Sequence, residues 1–524
     1  MTTTTPGIGT SYDEVPYHSV AHADTTPDRL ACLARLFGMT PEDPARCRYL
    51  EIGCASGGNL APLALCFPEA EFVGVDLSRR QVEDGLRMFA ELGIENVRLL
   101  HLDLMDIDES LGDFDFIAAH GVYSWVPEAV QERLLAVCRE CLRPQGVAYV
   151  SYNTYPGWHM REMVREMMMF HTARLPDPAM KVGQARALLD FLAKAASLSK
   201  NAYSILLQSE VETLRDLPDS YLFHDHLAKL NAPVYFHQFI ARATAAQLQY
   251  LGEATFAAML PMHFPVYVQE AFSKVTGDIL QVEQYMDFVR NRTFRQTLLV
   301  HSEVELDRVL DWQSMTPFRF RSKARAVEGG GDVRSDEKVV YQFEDWTVAT
   351  RVPLLKAAMA ELVEIYPVAL SFEALRDRAR ASIGEQRDDD DQVLGGNLLS
   401  CFANGVVEVT LVDLPFTTTV SERPVAFPMA RWQVMNKVPR LTNVRHESGD
   451  ADQILRQVIF LADGTRRREE IAAALVESVL ASGLKVSRRD DGRPIESPEE
   501  LHRVLSGVAD DALQKAANLA FLVA

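Results

Sequence analysis

Tyr49-Leu50-Glu51-Ile52-Gly53-Cys54-Ala55-Ser56-Gly57-Gly58-Asn59 reads as an apolar strand that breaks into small residues and then opens a helix. Such a turn lets a ligand approach the backbone closely. Alone it points to a nucleotide of some kind. Asp76 stands nineteen residues after Gly57, at the end of the apolar run Phe72-Val73-Gly74-Val75. A carboxylate there can accept both ribose hydroxyls of an adenosine. Nicotinamide dinucleotides and S-adenosylmethionine both satisfy this pair, and two further acids separate them. Glu51, just ahead of Gly53, favours a cationic aminoacyl or sulfonium group and disfavours a pyrophosphate. Asp103, in Leu102-Asp103-Leu104, follows the next strand, where an adenine amino group can donate to it. Ala55 replaces the middle glycine of the commonest form of the turn, adding one methyl group.

Outward from the turn, short apolar runs alternate with helical stretches, as a parallel sheet with crossover helices requires. The pattern predicts strands at 49–53, 71–76, 97–102, 114–119 and 146–152, with helices at 59–66, 78–92 and 127–141. A further helix is predicted over 26–36, with Pro27 at its start. Past Pro156 long helical segments dominate, for example 185–198 and 266–281, with few strand signals before 338. The glycines 329–331 mark a linker. Helices at 354–366, from 372 and at 392–403, then a β-rich run at 406–411, suggest a winged-helix-like module. Helices at 452–461 and 468–481 and a hairpin-like stretch around 490–492 repeat the theme. The expected division is an α/β Rossmann-like domain with an N-terminal arm (1–165), a mainly α middle domain (166–326), a linker (327–338) and two winged-helix-like α+β modules (339–430 and 431–524).

The whole chain agrees with that division: 524 residues exceed one core and suggest three or four domains. With 48% hydrophobic and 24% charged residues it is a folded protein rather than a disordered or fibrous one. Neither a secretory signal nor a long uncharged apolar stretch is evident, which reads as cytoplasmic with no membrane insertion. A formal charge of −20 argues against a general nucleic-acid binder and suits either a basic protein partner or simple solubility. The seven cysteines form no disulfide framework. Cys138 and Cys141, at helical i,i+3 spacing, read as buried helix residues. His224, His226 and His237 with Asp225 could suggest a metal, yet i and i+2 diverge on a helix, so no metal is assigned. The acidic run 388–391 reads as a solvated loop.

Two more strings narrow the class. His120-Gly121-Val122-Tyr123-Ser124-Trp125-Val126-Pro127 follows the fourth strand, and Ser151-Tyr152-Asn153-Thr154-Tyr155-Pro156-Gly157-Trp158 follows the fifth. The segment Phe114 to His120 and Leu142-Arg143-Pro144-Gln145-Gly146 resemble landmarks of class I methyltransferases. Together with Tyr12-Asp13-Glu14-Val15-Pro16-Tyr17 and Leu217-Pro218-Asp219-Ser220-Tyr221-Leu222-Phe223-His224-Asp225-His226, these strings make the chain similar to bacterial methyltransferases with a "methyltransferase regulatory domain". That family includes protein-lysine methyltransferases acting on outer-membrane proteins. The resemblance covers almost the whole chain and implies a class I core, a helical middle, a winged-helix-like C-terminal part and often a homodimer.

The set expected to hold S-adenosylmethionine (product S-adenosylhomocysteine) is Tyr17, Glu51, Gly53, Cys54, Ala55, Gly57, Asn59, Asp76, Leu77, Asp103, Leu104 and His120. Tyr12, Glu14 and Tyr17 could form a lid or a dimer contact. Tyr123, Trp125, Tyr152, Tyr155 and Trp158 lie beyond strand ends, where they could wall a pocket for a methyl acceptor or pack a domain interface. His120 is the candidate for proton handling or for supporting the cofactor loop. Three functions stay open: N-methylation of protein lysines, methylation of a small molecule or biosynthetic peptide, and noncatalytic regulation by a cofactor-binding protein that contacts DNA. Arg466-Arg467-Arg468 would serve the last, or simply start a solvated helix.

Overall fold

The structure, a computed structural model, describes residues 19–199, 201–215, 217–275, 277–481 and 498–524. Tyr12, Glu14, Tyr17 and the stretch around 490–492 lie outside the described residues.

Apolar alternation in the front of the chain becomes strands β1 (Arg48–Ile52), β2 (Glu71–Asp76), β3 (Val97–His101), β4 (Phe114–Ala119) and β5 (Leu142–Asn153). They run parallel, and helices α1 (Pro27–Leu36), α2 (Leu60–Cys66), α3 (Arg79–Leu92) and α4 (Glu128–Cys141) accompany them. Local chemistry sets the helix ends. Thr26 accepts from Arg29 N with Pro27 in the first turn, Ser78 accepts from Gln81 N, and Gly93 closes α3 in the left-handed region. On α4, Cys138 and Cys141 are buried, their thiols pushed up by burial to about 12 and about 11.

The sheet has seven strands in the order β3-β2-β1-β4-β5-β7-β6, the last two being β6 (Leu248–Glu253) and β7 (Phe294–His301). β7 pairs antiparallel with β5, Ala148 opposite Leu299 and Asn153 opposite Phe294, and β6 pairs antiparallel with β7. Both strands come from the stretch expected to be helical. The order reverses between β1 and β4, which places a crevice at their C-terminal ends.

Between β5 and β6, helices α5 (Trp158–Thr172), α6 (Pro178–Ala196) and α7 (Ala202–Arg215) enclose a small core of their own around Val164, Met168, Leu189, Leu207 and Leu214. After α8 (Phe236–Ala245), the single helix expected over 266–281 is two, α9 (Val266–Val275) and α10 (Ile279–Arg290). Asp278 caps the second by accepting from Leu280 N.

The back half carries two small α+β modules. In the first, helices Pro353–Ile365, Phe372–Ile383 and Asp390–Ala403 pack with Arg319–Arg321, which lies between Leu370–Ser371 and Glu408–Thr410. The glycine-rich stretch closes a hairpin, since Arg325–Glu328 pairs antiparallel with Val339–Phe343 across it. In the second, helices Pro428–Met435, Gln453–Leu461, Arg468–Ala481 and Pro498–Asn518 accompany the hairpin Arg440–Thr442/Ser448–Asp450. One continuous apolar core joins the sheet to both modules. Among the described residues, no helix is long and apolar enough to cross a membrane.

Candidate active site

The turn after β1 takes the shape its small residues allow. Gly53 and Gly57 have φ of 74° and 72°, and Ala55 adopts the left-handed region at 49°, so its methyl group does not prevent the turn. A Cβ at Gly53 would lie 2.5 Å from Val122 Cγ2; the loop after β4 thus closes directly on this turn. Asp76, half-buried at the end of β2, accepts from Ala55 N and from Ser78 N, each at 2.8 Å. These backbone donors fix the carboxylate at the crevice. Leu77 beside it is exposed, Asp103 accepts from Met105 N at 2.9 Å, and Leu104 is buried below.

Glu51 and Asn59 form the floor, with Cys54 buried beside them. Glu51 Oε1 accepts from Asn59 Nδ2 at 2.8 Å, whereas the buried Oε2 has no hydrogen-bond partner among the described residues. Burial pushes this carboxyl up to about 8, opposed by the Asn59 hydrogen bond and assisted by the charge of Asp76. An aminoacyl ammonium is the kind of donor that Oε2 lacks, so the residues fit an adenosyl sulfonium amino acid.

The N-terminal arm closes on the same floor. Ser19 Oγ accepts from Gly58 N at 2.8 Å, and His22 N donates to Asn59 Oδ1 at 2.8 Å. The His22 ring stacks on His120, centroids 3.8 Å apart. His120, one residue past β4, meets the Tyr149 hydroxyl through Nδ1 at 2.8 Å. Gln296 Nε2 donates to that hydroxyl at 2.9 Å and to Asp24 Oδ2 at 3.2 Å. Burial holds His120 well below the usual imidazole range, with His22 adding to the shift. With Nδ1 engaged and the ring held neutral, Nε2 is the nitrogen through which His120 would hydrogen-bond a ligand.

The five aromatics separate into three settings. Tyr123 and Tyr152 are wholly buried against Phe239, at 5.1 Å edge-on and 4.1 Å stacked; their hydroxyls meet Arg242 Nη1 at 3.2 Å and Thr297 Oγ1 at 3.1 Å. Trp125, half-buried, meets the buried Trp158 edge-on at 6.4 Å. Tyr155, also half-buried, stacks on His159 at 4.0 Å, lies 5.3 Å from Tyr235 and donates to Glu162 Oε2 at 3.1 Å. His224 and His226 are buried in the π-helical turn Leu222–His226, and His237 Nδ1 meets Gln284 Oε1 at 2.8 Å.

Sequence reading missed His22, Asp24, Tyr149, Gln296 and His446, the last of which reaches Asn59 Oδ1 from the second C-terminal module at 2.7 Å. Only Tyr149 carried a local signal, a hydroxyl inside an apolar strand that must find a partner.

Three family models match the chain: a "Methyltransferase domain" over residues 50–148, a "Predicted methyltransferase regulatory domain" over 218–301, and "PKMT, C-terminal winged helix domain" over 422–521. The second of these spans β6 and β7, the strands that complete the sheet. An uncharacterised protein of Rickettsia prowazekii is 32% identical over 527 residues, 98% of this chain and 93% of the relative. A second from the same organism is 42% identical over 233 residues, 44% of this chain and 93% of that protein. Among solved structures, PKMT2 from Rickettsia typhi, known alone and in complex with AdoHcy, matches with a TM-score of 0.87 at 30% identity, covering 97% of this chain and 100% of that one.

Proposed function

This chain belongs to the S-adenosylmethionine-dependent methyltransferases that carry a methyltransferase regulatory domain and a PKMT-type winged helix, and from that premise we propose that it N-methylates lysine side chains of proteins. The observation that carries the lysine reading is the full-length likeness to PKMT2, which extends through the middle domain and both C-terminal modules rather than stopping at the core. Fold and cofactor alone would not choose an acceptor.

When bound, S-adenosylmethionine supplies an electrophilic methyl group on a sulfonium sulfur. In this reading Asp76 holds the ribose, Asp103 with Leu77 and Leu104 the adenine, and Glu51 with Asn59 the aminoacyl end, over the backbone of Gly53, Cys54, Ala55 and Gly57. The acceptor amine must reach the methyl group in line and without its proton. A free lysine titrates near 10.4, and burial among apolar and aromatic groups lowers that value. Trp125, packed against Trp158, and Tyr155 supply aromatic faces at the loops after β4 and β5, while Tyr123 and Tyr152 pack on Phe239 of α8. His120, held neutral by burial, orients groups at the mouth of the crevice by hydrogen bonding.

The test is incubation with methyl-labelled cofactor and lysine-rich candidate proteins, followed by mass spectrometry of the digested products. Methylated lysines are expected; label found only in small molecules would sink the lysine reading and leave the methyltransferase intact.

A further inference from the structure

The turn 443–447 stands where the catalytic core and both C-terminal modules meet. Val444 O accepts from Cys66 Sγ at 3.4 Å, at the end of α2. Arg445 reaches the first module, donating to Glu408 Oε2 at 3.1 Å, and also donates to Glu447 Oε1 at 3.0 Å. His446 enters the core, its buried Nε2 lying 2.7 Å from Asn59 Oδ1. Asn443 fixes the turn from within, accepting from Glu447 N at 3.0 Å and donating to Leu519 O at 2.9 Å.

The donors and acceptors around Asn59 have one consistent arrangement. The backbone N–H of His22 can only donate, so the atom it meets at 2.8 Å is the amide oxygen. Nδ2 then faces Thr25 Oγ1 at 3.0 Å and Glu51 Oε1 at 2.8 Å. The contact from His446 is therefore an Nε2–H donated to the same oxygen. Burial holds the His446 imidazole at about 3 with His22 adding, so it stays neutral at physiological pH. Two donors on Oδ1 prevent the amide from turning away from Glu51.

We propose that His446 is a positioning residue for cofactor binding, through which the C-terminal winged-helix module holds Asn59, and through Asn59 the carboxyl of Glu51, in its binding orientation. The inference rests on reading Glu51, Asn59 and Asp76 as the cofactor pocket. It makes the winged helix part of the cofactor site rather than a separate appendage. Coupling of this kind is reciprocal, so bound cofactor also steadies the turn.

His446 has φ of 63°, a conformation that asparagine tolerates well. His446→Asn keeps that backbone but falls short of Asn59, whereas His446→Gln keeps an amide donor close to the position of Nε2. Titration calorimetry with S-adenosylhomocysteine and steady-state kinetics compare these variants with the intact chain and with Asp76→Ala. The proposal expects Kd, and KM for S-adenosylmethionine, to rise on the order of tenfold in His446→Asn. The loss should appear in KM rather than kcat, and His446→Gln should restore most of it. Unchanged binding in His446→Asn beside weakened binding in Asp76→Ala overturns the role of His446 and leaves the pocket standing. Unchanged binding in Asp76→Ala overturns the pocket itself. If His446→Asn does not fold, hydrogen exchange on the intact chain decides: amides of 443–447 should exchange more slowly with S-adenosylhomocysteine bound, and unaltered exchange would overturn the proposal.

Discussion

In the proposed pocket, Glu51 is the residue on which binding and protonation meet. Because its carboxyl is pushed up to about 8, it is mainly a neutral acid at pH 7 when no cation faces it. A sulfonium amino acid brings positive charge, and the acid then gains by ionising. S-adenosylmethionine binding at pH 7 should therefore release a proton, and affinity should rise with pH until about 8 and then level off. Calorimetry in buffers of different ionisation enthalpy reads this directly, and enthalpies independent of buffer would contradict it. The same shift works against the ligand-free fold. With an ordinary value of 4.5 when unfolded and about 8 when folded, Glu51 contributes stability that is full below 4.5 and is lost as pH rises through 8. Glu51→Gln should flatten that part of the stability-versus-pH profile in thermal denaturation; an unaltered slope would place the titration elsewhere.

Among the elements, β6, β7 and α10 are joined by charge rather than by apolar packing alone. Arg295, wholly buried on β7, pairs with Glu253 of β6 at 2.7 Å and with Glu283 and Asp287 of α10 at 3.0 and 2.8 Å. Arg292 adds contacts to Glu253 at 3.3 Å and Asp287 at 3.6 Å. Burial pushes Glu283 up to about 7, against the pull of Arg295, which fits three carboxyls facing two guanidiniums. Arg295→Met would strand the acids, and breaking such a buried group costs on the order of 3–5 kcal/mol. The urea transition of the core should show that loss, and a change of about 1 kcal/mol or less, as exposed pairs give, would contradict it.

This network also explains what the sequence concealed. β2 and β4 were legible to the residue because their apolar runs are self-contained. Phe294–His301 places Arg295 and Thr297 inward, and the Arg295 charge is neutralised by Glu283 and Asp287 on the preceding helix and by Glu253 on β6, 42 positions away. No local pattern marks such a strand. Likewise Glu51, Asp76 and the turn between them are one local unit and could be read, whereas His446 meets Asn59 from 387 positions away. The aromatics at and beyond the ends of β4 and β5 were visible as a string, but Tyr152 falls inside β5 and Trp158 begins α5, and whether each ring faces the crevice or α8 depends on tertiary packing.

At the scale of the whole molecule, the second module grips the core through His446 and through Trp432 Nε1, which donates to Glu91 Oε2 at 2.7 Å; the first does so through Asp28 on α1, which accepts from Thr410 Oγ1 at 2.7 Å and Leu411 N at 2.8 Å. The basic trio 466–468 is paired with its own acids, Arg466 with Asp463, Arg467 with Glu422 and Arg468 with Asp510. If the acceptor is the lysine-bearing protein proposed above, the net charge of −20 governs its approach. Raising ionic strength from about 0.01 M to about 1 M shortens the screening length from about 30 Å to about 3 Å. KM for the protein acceptor should rise across that range, and a flat response would remove steering from the account.

All of this depends on where the cofactor lies. Calorimetric titration of S-adenosylmethionine into the intact chain and into Asp76→Ala tests that placement most directly. One site per chain is expected, with affinity falling on the order of tenfold to a hundredfold in the variant, as loss of hydrogen bonds to a charged group implies; equal affinity in the two proteins would contradict the site.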